Sequence, residues 1–478
     1  MKRASGVLLH VSSLHGEYSI GSFGAEACEF IDFLSECGFT YWQVLPFCMA
    51  DECHSPYKSY SAFAANPFFI DLATLKDEGL ISSRELNEAK QSTPYLCEYS
   101  RLEKERLSLL RVAHGRVSEE ERENINNWIE GYPELLRASK FLALKQTNRN
   151  LAWQKWTEHV PDDNEFSFWK WVQYEFFRQW ATVKKYANEM GVSVIGDVPI
   201  YVAEDSCDVW SNPEQFLLDK ALSPSEVAGV PPDYFCENGQ LWGNPLYNWR
   251  RMRSDGYKWW LERVRYMLTL FDGVRIDHFR ALDYYWSIPA SAKTAKEGKW
   301  KKGPGHSFID ALRKIVKDRL IIAEDLGDIT PSVKKLLEYS QFSGMRVLQF
   351  GFLGDNSPHL PHNYPKNCVA YSGTHDNNTL LGYVWEMSAE SRARLFSYCN
   401  CQQTEWRSAC ENIIKTLMAS HADTVILPIQ DIFAFGADTR MNTPGTSKNN
   451  WEYRITREQL RAVDRKKFRY LNGLYGRI

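Results

Sequence analysis

Apolar runs punctuate the chain at residues 6–14, 40–47, 193–202, 272–279, 320–327, 345–352, 367–376 and 423–433, most of them closing on a polar or charged residue. Such runs read as buried strands. Amphipathic stretches separate many of them. Residues 25–38 carry apolar positions at helical spacing and stop at Gly38, and residues 170–190 and 257–271 repeat the pattern. Residues 307–318, 331–340 (with Pro331 at the first helical position) and 404–420 follow. Strand and helix in alternation predict a parallel sheet. Eight repeats predict that it closes on itself, as a TIM (β/α)8 barrel of the α/β class. Two intervals exceed ordinary connections. Residues 73–165, after the second strand, are charged and helix-patterned and predict a helical insertion subdomain. Residues 203–256, after the third, are rich in Pro, Gly, Asn and Asp and predict a loop-rich insertion. Both follow strands, so both are expected over the carboxyl-terminal face of the barrel. No repeat, low-complexity tract or linker interrupts residues 1–478, which read as one barrel.

Three of the apolar runs end in an acid: Asp277 after Gly273-Val274-Arg275-Ile276, Glu324 after Leu320-Ile321-Ile322-Ala323, and Asp376 after the run from Cys368 to His375. A charge at the end of a buried strand needs a reason, and in a parallel barrel that end is the active-site face. A net charge of −3 gives no pull toward nucleic acid or an anionic membrane. There is no apolar run of about 18 residues, and the first residues lack a signal peptide's apolar core. Eleven scattered cysteines without a C-x-x-C pair fit the reduced thiols of a cytosol, hence a cytoplasmic protein. The closest pairs, Cys399/Cys401 and Cys48/Cys53, have no histidine at ligand spacing, so no metal is expected. Of 17 tryptophans, Trp169, Trp171, Trp180, Trp259 and Trp260 fall at helical spacing and read as packing. Trp242, in the polar stretch Gly239-Gln240-Leu241-Trp242-Gly243-Asn244-Pro245, does not. An aromatic face in a loop suits a sugar.

Glycosyl transfer with retention of configuration uses two carboxyl groups roughly 5–5.5 Å apart. One is an ionised nucleophile. The other donates a proton to the leaving oxygen and later accepts one. Consecutive strand ends can supply that separation, so Asp277 and Glu324 qualify. Arg275 lies two residues before Asp277 and points to the same side of the strand. His278 is placed to hydrogen-bond hydroxyls, and Asp376 with His375 to grip a sugar in its charged transition state. Asp197, closing the third strand, is a fourth candidate, equally suited to a structural role. The acids alone leave several readings open: a transferase, an α-glucan hydrolase, a silent glucan-binding barrel, or a metal-dependent hydrolase using the two histidines.

The segments GVRIDHFR, IIAEDLG and YSGTHDNNT resemble signature strand ends of the α-amylase clan. Four further stretches resemble one branch, the 4-α-glucanotransferases or amylomaltases: residues 55–67, residues 231–235, residues 239–247, and Arg440-Met441-Asn442-Thr443-Pro444-Gly445-Thr446. The similarity runs from about residue 5 to about residue 455. It implies Asp277 as nucleophile, Glu324 as general acid/base and Asp376 as transition-state stabiliser. It implies Arg275, His278 and His375 as sugar contacts at the cleaved bond, and Tyr57, Asp197, Asp233 and Trp242 as donor or acceptor contacts. Gln240 and Trp242 match a loop curling over the site, and Asn442 is a further contact. The implied partners are α-1,4-glucans as donor and acceptor. No cofactor, nucleic acid or membrane is implied, and a monomer or weak homodimer is expected. The family's first loop usually reads Leu-Pro-Ser-Pro-Tyr-Gly-Ile-Gly, whereas this chain has Leu14-His15-Gly16-Glu17-Tyr18-Ser19-Ile20-Gly21.

Overall fold

In the computed structural model, which describes residues 3–232, 237–354, 356–401, 405–446 and 448–478, eight short strands lie side by side and all run parallel. They are β1 (Ala4–Leu8), β2 (Tyr41–Gln43), β3 (Ser193–Val198), β4 (Gly273–Ile276), β5 (Leu320–Ala323), β6 (Ser343–Val347), β7 (Cys368–Tyr371) and β8 (Thr424–Pro428). They close in chain order, with β8 pairing back onto β1 from Ala4↔Thr424 to Leu8↔Pro428. The predicted barrel is therefore present. Its strands are shorter than the apolar runs because those runs continue into buried turns. After β6 the chain enters a 3-10 turn at Leu348–Phe352, and after β8 a short helix at Ile429–Phe433.

Alternation along each strand sorts side chains into two cores. Leu8, Leu45, Ile195, Ile322, Met345, Val347, Val369, Tyr371 and Ile426 fill the barrel interior. The outward set packs under the surrounding helices. Helices Ala25–Cys37, Asp163–Glu189, Lys258–Leu270, His306–Val316, Pro331–Ser340 and Trp406–Ala419 lie where the amphipathic stretches predict. Gly196, beside Asp197, faces one of these helix ends. A Cβ there would sit 2.1 Å from Phe271 Cδ2, so only glycine admits that ring.

Between β2 and β3 the chain forms Ser83–Glu88, Leu107–Gly115, Glu119–Glu130 and Pro133–Thr147, all helical. The segment after β3 contains structure its composition conceals. Glu226–Val230 and Gln240–Pro245 pair with Tyr284–Pro289 and Lys299–Lys302 in a four-stranded antiparallel sheet. Gln240 and Trp242 thus stand on an edge strand rather than in a loop. Their period of two is visible in the half-buried Gln240, Trp242 and Asn244 against the exposed Leu241 and Gly243. Glycine, asparagine and proline weaken the strand signal there.

At the opposite end of the barrel, Arg477 is fully buried. It donates to the carbonyls of Ala4, Met418, Ser420, Ala422 and Asp423, tying the start of β1 to the approach of β8. The ten described cysteines are free thiols. No described helix is long and apolar enough to cross a membrane.

Candidate active site

Strand register places the acids. Asp197 pairs with Arg275, and Ile276 pairs with Ala323, so Asp277 and Glu324 emerge side by side from β4 and β5. Asp277 N–H donates to the Val198 carbonyl at 3.0 Å and Glu324 N–H to the Ile276 carbonyl at 3.0 Å, extending the ladders past the strand ends.

Arg275 holds the centre of a buried chain of charges. Its Nη1 lies 2.9 and 2.8 Å from the two oxygens of Asp197, and its Nη2 lies 2.8 Å from Asp277 Oδ1. Tyr57 OH donates to Asp197 Oδ2 at 2.8 Å. Burial and the charge of Asp197 hold the Tyr57 phenol well above its usual range, so it remains a donor. Asp197 is fully buried and both its oxygens are committed to Arg275 and Tyr57. Asp277 keeps about a quarter of its side chain (27 %) open to the cleft.

Just past Asp277 the backbone turns sharply. His278 has φ 46°, ψ 50°, a left-handed conformation uncommon for a residue with a Cβ. The turn aims the His278 N–H at Glu324 Oε2, at 2.8 Å, while Leu326 N–H donates to Oε1 at 2.8 Å. Two backbone donors favour the carboxylate form. Burial outweighs them, and the Asp277 charge adds to it, so the Glu324 carboxyl is raised to about 7. Burial also lowers the His278 imidazole to about 4 despite Asp277, leaving it neutral at pH 7.

Asp376 has the opposite setting. Asn442 Nδ2 donates to its Oδ1 at 2.6 Å, and His375 Nε2 is 3.3 Å from Oδ2. Burial opposes ionisation there, but His375 and the Asn442 hydrogen bond prevail and hold this carboxyl well below the usual range. Arg440 braces the loop, donating to the Asp376 and Asn442 carbonyls at 2.7 Å each.

Aromatic rings wall the cleft. Tyr57 stacks on His375 with ring centres 5.1 Å apart, and Trp451 lies 5.9 Å from His375 and 6.0 Å from Tyr57. Trp242 stands perpendicular to His278 at 5.1 Å, its Nε1 donating to Gln240 Oε1. The fold thus gathers Tyr57, Asp197, Gln240, Trp242, Arg275, Asp277, His278, Glu324, His375, Asp376 and Asn442. Asp233 lies outside the described residues. Sequence reasoning missed Arg440 and Trp451. Trp451, an aromatic within Asn449-Asn450-Trp451-Glu452, carries the same signal that singled out Trp242.

A (β/α)8 barrel whose strand ends deliver one buried carboxyl group raised to about 7 beside another paired to a guanidinium, walled by aromatic faces, defines an enzyme acting on glycosidic bonds. Comparison with known proteins narrows the class. The family model of 4-alpha-glucanotransferases matches residues 9–460. The 4-alpha-glucanotransferase of Clostridium butyricum is 39% identical over 487 residues, covering 98% of this chain and 100% of the relative. That of Thermus thermophilus is 39% identical, covering 95% of each. The amylomaltase of Streptococcus agalactiae, solved in complex with acarbose, superposes with a TM-score of 0.95 at 36% identity and full coverage of both chains. The amylomaltase of Corynebacterium glutamicum shares the fold, with a TM-score of 0.81 at 18% identity, covering all of this chain and 75% of that one. The chain belongs to the 4-alpha-glucanotransferase family.

Proposed function

We propose that the chain transfers a segment of an α-1,4-glucan to the 4-hydroxyl of another glucan or of glucose by double displacement. Asp277, ion-paired to Arg275, attacks the anomeric carbon. Glu324 gives its proton to the departing glycosidic oxygen, and a covalent β-glucosyl ester forms on Asp277. The incoming 4-hydroxyl then loses its proton to Glu324 and displaces the ester, restoring the α linkage. Asp376, held ionised by His375 and Asn442, faces the positive charge that develops on the sugar ring. Arg275 cannot drift from Asp277, because Asp197 and Tyr57 fix its other edge. The exchange replaces one glycosidic bond with a like one, so the scheme calls for no activated sugar nucleotide.

The observation that carries this reading is the split between the neighbouring acids: Glu324 is raised to about 7 while Asp277 sits against a guanidinium. Transfer must beat water, which requires an acceptor held in place. Trp242 and Tyr57 are suited to that task. Incubation with maltotriose tests it. Transfer yields glucose and a ladder of longer maltodextrins, whereas a hydrolase yields only shorter sugars. Asp277→Asn should lower turnover by at least about 10³-fold. Unchanged product formation in that variant would refute the assignment.

A further inference from the structure

Every tryptophan of the chain lies among the described residues, and only two are exposed: Trp385 at 51 % and Trp406 at 38 %. They are neighbours, with ring centres 6.4 Å apart and planes at 87°. Phe396 backs Trp406 at 6.2 Å, and the Arg392 guanidinium lies 5.8 Å from its ring centre. Two indoles left open to water cost apolar burial that a chain of this size can readily supply elsewhere.

Their place in the fold ties them to the catalytic cleft. Trp385 ends the helix Leu380–Glu386, which starts just past Asp376 and carries the chain roughly 8 Å along its axis. The far edge of its indole rests on Gly436, where an added Cβ would lie 3.1 Å from Cζ3. Gly436 opens the turn Ala437–Thr439, and the next residue is Arg440, which donates to the Asp376 carbonyl at 2.7 Å. Trp385 therefore stands on one of the two segments that build the Asp376 side of the site and rests on the other, and Trp406, which opens the helix Trp406–Ala419, is its ring neighbour.

We propose that Trp385 and Trp406 form an outlying platform for α-glucan chains, a remote subsite that holds the distal part of a long donor or acceptor while its reacting end lies at Asp277. The proposal rests on the glucan-transfer reading above. Sugar rings offer apolar C–H faces to an indole and hydroxyls to charged neighbours. Exposed Glu386 and half-buried Arg392 supply such neighbours beside the rings. A perpendicular pair of faces suits a curved oligosaccharide better than a flat protein surface. A ligand reaching from the platform to the cleft would need several glucosyl units, so the platform should ignore short substrates.

The test uses the full chain as wild type and as Trp385→Ala, Trp406→Ala, Trp385→Phe and Trp406→Phe, assayed on maltotriose and on soluble amylose. The Ala variants should turn over maltotriose within about twofold of wild type, while their KM for amylose rises about five- to tenfold. The Phe variants, which keep a ring face, should recover most of that loss. In native gels containing soluble starch, the Ala variants should migrate faster than wild type. An unchanged amylose KM overturns the proposal. So does a parallel loss on both substrates, which marks a structural role. A change in oligomer size with no change in amylose KM assigns the patch to contact between copies and also overturns it. If wild type leaves maltotriose untouched, the transfer reading fails, and gel retardation still reports separately on the platform.

Discussion

At the scale of single residues, the general-acid role proposed for Glu324 sets the expected pH behaviour. A general acid must hold its proton, and this carboxyl, raised to about 7, loses it as pH rises through that value. The kcat/KM for maltotriose should therefore fall on the alkaline side with an apparent pKa near 7. Glu324→Gln should remove that limb and cost about 10²–10⁴-fold in rate. The same raised pKa has a sign for stability. The native state binds the extra proton between the unfolded value of 4.5 and about 7, so this contribution is full below 4.5 and is lost as pH rises through 7. The stability of Glu324→Gln relative to wild type should thus improve from pH 5 to pH 8, by about 3 kcal/mol at most. Urea unfolding at both pH values checks the direction. The identity of these acids was legible in the sequence, because a charge closing an apolar strand has few structural excuses. Their protonation was not, since it depends on which backbone N–H groups and charges the fold brings within reach.

At the scale of elements, the site is a product of strand register. Asp197 on β3 and Arg275 on β4 are paired residues, and Asp277 follows two places on, so one guanidinium spans two carboxylates across adjacent strands. Lysine would keep the charge but not the fork. Arg275→Lys should lower kcat/KM on maltotriose at least tenfold, and by leaving part of a buried carboxylate unmatched should destabilise the fold by about 2–4 kcal/mol. Steady-state kinetics and urea unfolding read the two effects separately. Element type was legible wherever periodicity was long: all eight barrel strands and the six helices overlap the stretches predicted, although β1 and β6 begin two residues earlier and the helix Asp163–Glu189 seven residues earlier. Element ends were not. Residues 348–352 and 429–433 stay apolar because they line the buried side of turns, and nothing in their composition marks where extended backbone stops. The antiparallel sheet escaped for the opposite reason. Lys299–Lys302 and Gln240–Pro245 are short edge strands built from lysine, glycine, asparagine and proline, residues that protect a sheet edge and also hide it.

At the scale of the whole molecule, the ring is sealed from beneath by Arg477, whose guanidinium satisfies five backbone carbonyls at the junction of β1 and β8. Arg477→Ala would remove its donors from all five carbonyls, of which Met418 and Ser420 keep Arg3 and Asp423 keeps the Ala4 N–H, and should cost about 1–3 kcal/mol. The site lies at the other end of the strands, so maltotriose turnover at 25 °C should stay within about twofold of wild type, and a shifted urea midpoint should be the main effect. Nothing in the sequence marked this arginine, because its partners are main-chain atoms. The seam it guards also imposes an order in time. Ala4 pairs with Thr424, so the first strand spends the synthesis of most of the chain with one edge open. Closing so long a loop carries an entropic cost of roughly 5 kcal/mol, met only when the last strand arrives. Loop closures of this kind are slow. A nascent or refolding chain must therefore keep a half-built cylinder with an unpaired edge away from other chains until residues 424–428 dock. For this protein, exposure to aggregation is concentrated in the interval before its last strand finds its first.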